Sequence, residues 1–281
     1  MRIKYTRFHD LLRNKAAFLG LIIIGIFIFT AITADIISPY DPGKITLGDK
    51  LQPPSSKHLL GTDQLGRDQL SRMIYGTRTT FELSIIIVTV TASFGVLTGI
   101  VSGYYGGMFD EIMMRIIDVL LAFPSIILAL VIIGALGPGI LNTVIAISLV
   151  GWLYYARVAR ASTLSIKEKE YIEGARAMGC SEFYICTRYI LPNCLPPIIV
   201  LITLNMGGVI LTIASLGFLG LGAQPPTPEW GTMLNEGREF LRDCPWLSLV
   251  PGFLIMISVL AFNFIGDGLR DLLDPRQQVI K

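Results

Sequence analysis

Residues able to do chemistry are sparse in this chain and poorly spaced for it. Only two histidines occur, His9 and His58, too few and too far apart for a local metal site. The four cysteines, Cys180, Cys186, Cys194 and Cys244, match no common zinc spacing and read as free thiols. No His-Glu-x-x-His, no Gly-x-Ser-x-Gly and no pair of carboxylates within an apolar run supplies a hydrolytic centre. A Walker A pattern is absent, so ATP has no phosphate-binding loop here. Gly217, Gly220 and Gly222 lack the order and the strand–helix context of nucleotide-binding glycines; they suit a helix end that packs closely or unwinds. Asp63, Gly66 and Asp68 lack EF-hand spacing and read as a capped turn. No catalytic, cofactor-binding or metal-binding residues are therefore assigned.

One polar stretch is patterned. From Lys167 to Met178 the chain reads K-E-K-E-Y-I-E-G-A-R-A-M. Tyr171, Ile172, Ala175 and Met178 fall at i, i+1, i+4 and i+7, one face of a helix, and Lys169, Glu170, Glu173 and Arg176 cover the rest. Gly179 is placed to end that helix in the left-handed conformation glycine permits. Ser181 is placed to cap the next one. Phe183, Tyr184, Thr187, Ile190 and Leu191 again follow a helical face, and Pro192 is expected to end it, because the residue before proline avoids helical geometry. The expectation is a helix–turn–helix with two apolar faces and a glycine corner. A solvated connector needs neither; a structure that presses on a partner needs both, and Glu173 on the polar flank can pair with a basic residue of that partner.

The elements that hold this loop are membrane spans. Of 281 residues, 52% are hydrophobic and only 16% charged, against about 25% charged in a soluble domain. The net charge of +2 does not favour nucleic acid. Crossing ~30 Å of hydrocarbon takes roughly 20 apolar residues. Six segments meet or approach that length: 18–37, 83–102, 116–136, 140–155, 195–219 and 247–265. The first is too long for a signal-peptide core and lacks a cleavage site, so it is read as a retained anchor. Pro124 lies inside the third span, and Pro196 and Pro197 open the fifth. Each either kinks its helix or serves as a gating hinge, which makes spans three and five the candidates to line a path across the membrane. With six spans, 15 of the 23 basic residues fall on the side holding both termini and the 167–192 loop, and 8 on the other, which makes the former side cytoplasmic. Arg67, Arg72 and Arg78 precede the second span, where an interfacial helix capped by Asp63 or Thr62 is expected. Outside, Glu229, Glu236, Glu239 and Asp243 form an acidic loop after the stiff Pro225–Pro228 stretch, either merely solvated or contacting a protein partner. Arg270 and Asp274, at i, i+4, can pair after the last span. Asp35 and Asp118 lie near span ends, and no chain of acids or histidines crosses the membrane, which disfavours a proton- or sodium-driven secondary carrier.

The run Glu173-Gly-Ala-Arg-Ala-Met-Gly179, followed by Ile190-Leu191-Pro192, resembles the "EAA" loop of ABC-importer permeases. Gly174 stands where that motif has alanine, beside Ala175, and Tyr189 where it has isoleucine; the spacing is intact. Five other stretches also resemble the dipeptide, oligopeptide and nickel subfamily: Arg13-Asn-Lys-Ala-Ala17, Leu60-Gly-Thr-Asp-Gln-Leu-Gly-Arg-Asp68, Gly103-Tyr-Tyr-Gly-Gly107, the run from Phe218 to Gly231, and the run from Ala261 to Asp271. The resemblance implies an all-α, polytopic, type I importer permease with six transmembrane helices in the cell membrane. Its parts would be an N-terminal region, 1–76, with the first span and an external loop; a transmembrane type-1 domain, 77–268; and a cytoplasmic tail, 269–281. Implied partners are a second homologous permease, two cytoplasmic ABC ATPases that grip the loop, and an external solute-binding protein. Peptides are the implied cargo, with nickel the alternative.

Overall fold

The computed structural model describes residues 14–273. His9, Arg13, Asp274 and the rest of both termini lie outside the described residues. Helix α1 (Lys15–Ile32) starts where Asn14 Oδ1 accepts from the Ala16 and Ala17 amides, and a short α2 (Ala34–Ile37) completes the expected first span. Helix α3 (Gln69–Tyr105) is 37 residues long, about 55 Å at 1.5 Å per residue. The expected separate interfacial helix does not exist, since Gln69 onward is already the start of this long span. Its cap is Asp68, which accepts from the Ser71 amide at 2.8 Å, not Asp63 or Thr62.

The third expected span, 116–136, is broken. Helix α4 (Gly107–Leu121) and helix α5 (Ser125–Leu136) meet at 90°. Pro124 is the cause: it keeps Phe123 out of helical geometry and forms the non-helical start of α5. Helix α6 (Ile140–Lys167) overruns its expected end at Tyr155 by three turns. After α7 (Glu170–Ala177) and α8 (Glu182–Ile185), a π-helical turn (Cys186–Ile190) leads directly into α9 (Leu191–Phe218). Pro192 therefore does not end a helix. It sits in the first turn of α9, where a missing amide costs little, and the widened turn before it makes room for its ring. Pro196 and Pro197 lie inside the same helix rather than at its start. Helices α10 (Trp230–Gly237) and α11 (Trp246–Leu273) complete the described chain. Five helices are long and apolar enough to cross a membrane, and the α4–α5 pair makes six if it counts as one broken span. Among the described residues the β content is one isolated bridge, Thr62 to Asp68.

Two packing devices hold the bundle. Helices α3 and α6 approach through a glycine stripe. A Cβ on Gly95 would lie 2.6 Å from Tyr155 Cβ, one on Gly99 2.7 Å from Ala159 Cβ, and one on Gly103 2.9 Å from Thr163 Cβ. In lipid, where apolar surface gains nothing from leaving water, such close backbone approach is what drives helix pairing. On the other side, Phe27, Phe81, Phe262 and Trp230 join α1, α3, α11 and α10 in one apolar cluster, with Phe27 and Trp230 ring centroids 5.6 Å apart.

Candidate functional site

The glycine corner forms as its sequence requires. The Gly179 amide donates to Arg176 O at 2.9 Å and the Cys180 amide to Ala175 O at 3.1 Å, the paired bonds of a Schellman turn, with Gly179 at φ +78°. Ser181 then caps α8 by accepting from the Tyr184 amide at 3.2 Å. A Cβ on Gly179 would meet open space, so only the backbone conformation demands glycine there.

The two amphipathic faces are phased differently from expectation. Ile172, Ala175, Ile185 and Ile190 are buried against Ala92, Val96, Ile100 and Tyr104 of α3 and Tyr155 and Ala159 of α6. Tyr171, Met178, Phe183 and Tyr184, assigned to the same faces, point outward, Met178 and Phe183 each 77% exposed. Each short helix thus has an inner apolar face for its own spans and an outer one with no cover in this chain. Glu173 and Gly174 are exposed on the outer side, Leu191 is half-buried, and Pro192 is exposed.

One polar strut ties the loop to a span and others tie the spans to one another; sequence reasoning missed them. Tyr104, at the end of α3, donates its hydroxyl to the Glu182 carboxylate, and the Arg176 guanidinium lies over the same ring, 5.3 Å from its centroid. One side chain is therefore held by both arms of the loop. The Tyr104 hydroxyl raises the Arg176 pKa further above its already high range. Lys167 Nζ donates to Gly103 O at 3.0 Å, and Arg160 makes two 2.6 Å bonds to Asp110. The only sequence signal was the Gly103–Gly107 stretch containing Tyr104.

The opposite side of the membrane overturns the acidic-loop reading. Glu236 is not free: its Oε2 accepts from Arg67 Nη2 at 3.0 Å and Arg72 Nη2 at 2.8 Å. Both arginines also bind the Asp63 carboxylate, Arg67 Nε at 2.6 Å. Two cations and two anions make a neutral ring, with Arg67 and Arg72 1% exposed. Beside it, His58 Nδ1 lies 2.8 Å from Asp68 Oδ1. Glu229 is fully buried as the cap of α10, accepting from the Gly231 and Thr232 amides at 2.8 and 2.9 Å; burial pushes its pKa up and those bonds partly restrain it. Only Glu239 and Asp243 remain exposed. Cys244 is buried too. The expected capped turn does form: Asp63 Oδ1 accepts from the Leu65 and Arg67 amides, with Gly66 at φ +71°. Of the hinge candidates, Pro124 lies at the 90° break, while Pro196 and Pro197 sit in a continuous helix.

The family model "Binding-protein-dependent transport system inner membrane component" matches residues 95–279, and "N-terminal TM domain of oligopeptide transport permease C" matches residues 6–54. The dipeptide transport system permease protein DppC of Alkalihalophilus pseudofirmus is 46% identical, covering 96% of this chain and 89% of that one. DppC of Haemophilus influenzae is 44% identical over 94% and 92% of the two chains. The glutathione transport system permease protein GsiD of Pectobacterium atrosepticum is 44% identical over 94% and 88%. Among solved structures, an inward-facing MetNI methionine ABC transporter matches with a TM-score of 0.57 at 19% identity, over 72% of this chain and 97% of that one, a likeness of fold alone. A multi-pass helical bundle that carries a glycine-cornered loop and is matched along nearly its whole length belongs to the binding-protein-dependent transport system inner membrane component family.

Proposed function

We propose that this chain is one permease subunit of an ATP-driven importer that carries short peptides across the cell membrane. The observation that carries the reading is the combined match: permeases named for dipeptide transport align along nearly the entire chain, and the loop at Gly179 leaves an outer apolar face uncovered. ATP is hydrolysed on two separate cytoplasmic ABC ATPases, which seat on Tyr171, Met178, Phe183 and Tyr184, with Glu173 pairing a basic residue at the rim. A second homologous permease completes the pathway, and an external solute-binding protein delivers the peptide. Both termini lie in the cytoplasm, as the distribution of basic residues favours. The transmembrane type-1 domain, 77–268, carries coupling; residues 1–76 supply the first span and external loop, and 269–281 the tail. Pro124 serves as the hinge of the broken span, with Pro196 and Pro197 softening α9. Peptide is preferred to nickel because the relatives' names are those of peptide and glutathione permeases. Uptake of labelled dipeptide by proteoliposomes holding the complete importer tests this. ATP-dependent dipeptide uptake is expected, with no ATP hydrolysis by the isolated subunit; nickel-only uptake, or ATP binding by this chain alone, overturns it.

A further inference from the structure

A cavity of about 200 Å³ opens between α3, α5, α6 and α9. One water needs only ~10–15 Å³ by this measure. Its polar lining consists of Thr91, Ser125, Tyr154, Tyr155, Asn205 and Thr212, and no charged side chain or histidine lines it. Thr91 and Thr212 turn their hydroxyls back to their own helices, bonding Ile87 O and Gly208 O at 2.8 Å. Tyr155 does not. It is 1% exposed, and its hydroxyl is buried with no well-formed hydrogen bond; Asn205 and Thr91 lie beside it, close enough only for weak ones. The start of α5 at Ser125 also reaches the cavity, and it carries no side-chain cap.

A buried hydroxyl without a partner is costly unless something fills the space beside it. A lipid chain offers neither donor nor acceptor. A lone carboxylate or ammonium would be buried without a countercharge, which the lining does not supply; a zwitterionic peptide brings both charges together, one on each side of its amide. A neutral amide satisfies both neighbours, since the Tyr155 hydroxyl can donate to its carbonyl and the Asn205 carboxamide can accept from its N–H. The position suits cargo as well: transport sites sit at mid-membrane beside discontinuous helices, and α5 is one half of the broken span.

We infer that Tyr155 and Asn205 form a transient site for the backbone amide of the transported peptide, read without regard to its side chains. This rests on the peptide reading above. The test is uptake by the complete importer in proteoliposomes, with ATP hydrolysis measured in parallel, for wild type, Tyr155→Phe and Asn205→Leu. Two cargoes are compared: a dipeptide and its depsi analogue, in which an ester replaces the amide. Tyr155→Phe removes only the unpartnered hydroxyl and leaves the fold no group to lose. Expected are an about tenfold fall in dipeptide carried per ATP in each variant, and loss of the wild type's preference for amide over ester in Asn205→Leu. Undiminished dipeptide transport in both variants overturns this site alone. So does a loss of transport traced to failed co-purification of the second permease, because the cavity would then be filled by that partner. Wild type that imports no peptide overturns the peptide reading, and this inference with it.

Discussion

The two ends of helix α3 resolve their polar groups in opposite ways. At the Gln69 end, Arg67 and Arg72 are buried with Asp63 and Glu236 in a ring that leaves no net charge. At the Tyr105 end, Tyr104 is held by Arg176 and Glu182, but Phe183 and Met178 next to it stand exposed. The first arrangement is complete within this chain. The second leaves apolar side chains that this chain does not cover. A surface that must dock and release keeps its apolar groups available, whereas loops that only need to stay closed bury theirs and satisfy every charge.

The comparison breaks first if the external ring is not structural. Asp63→Leu leaves two buried arginines to share one carboxylate, and removing one partner of a buried pair costs ~3–5 kcal/mol. A large fall in the Tm of the purified subunit in detergent is expected; a shift within a degree or two would mean the ring is open to water. Next is the corner. Gly179→Asp forces a β-carbon into left-handed backbone at ~1–2 kcal/mol and re-aims α8, so uptake should be abolished while membrane insertion, read by fractionation, stays intact. Normal uptake at wild-type abundance would make the loop a passive connector. Smaller still in stability is Phe183→Ser with Met178→Ser. Exposed surface changes stay within about 0.5 kcal/mol, yet ATPase pull-down should fail, and Glu173→Ala should weaken it. Unaltered pull-down in all of these would remove the difference between the two ends. The smallest effect concerns Cys244: because it is buried, impermeant maleimide on intact cells should label it only slowly, and rapid labelling would mean the segment around it opens readily.

What was legible in the sequence was local. The Gly179 corner and the Ser181 cap depend on a few neighbouring residues, and both formed. The span count followed from apolar length. Contacts between distant segments were not legible. Proline misled in both directions. Pro192 was expected to stop a helix, but it falls in a first turn preceded by a π turn and stops nothing, whereas Pro124 turns its span through 90°. Proline chemistry is the same at each; the neighbouring turns decide. The inner and outer faces of α7 and α8 were merged because both are apolar, and periodicity does not say which is covered.

The glycine contact between α3 and α6 has a mechanical consequence. Their backbones touch from Gly95 to Gly103, near the Tyr105 end of a rod that starts at Gln69. At ~1.5 Å per residue, about 45 Å of that rod lies on the Gln69 side of Gly99 and only about 9 Å on the other. A tilt about that contact would move the two ends in opposite senses and multiply a displacement at Tyr104 roughly fivefold by the time it reaches Arg72. A nudge of under an ångström beside the loop helices would become a swing of several ångströms at the far end of the rod.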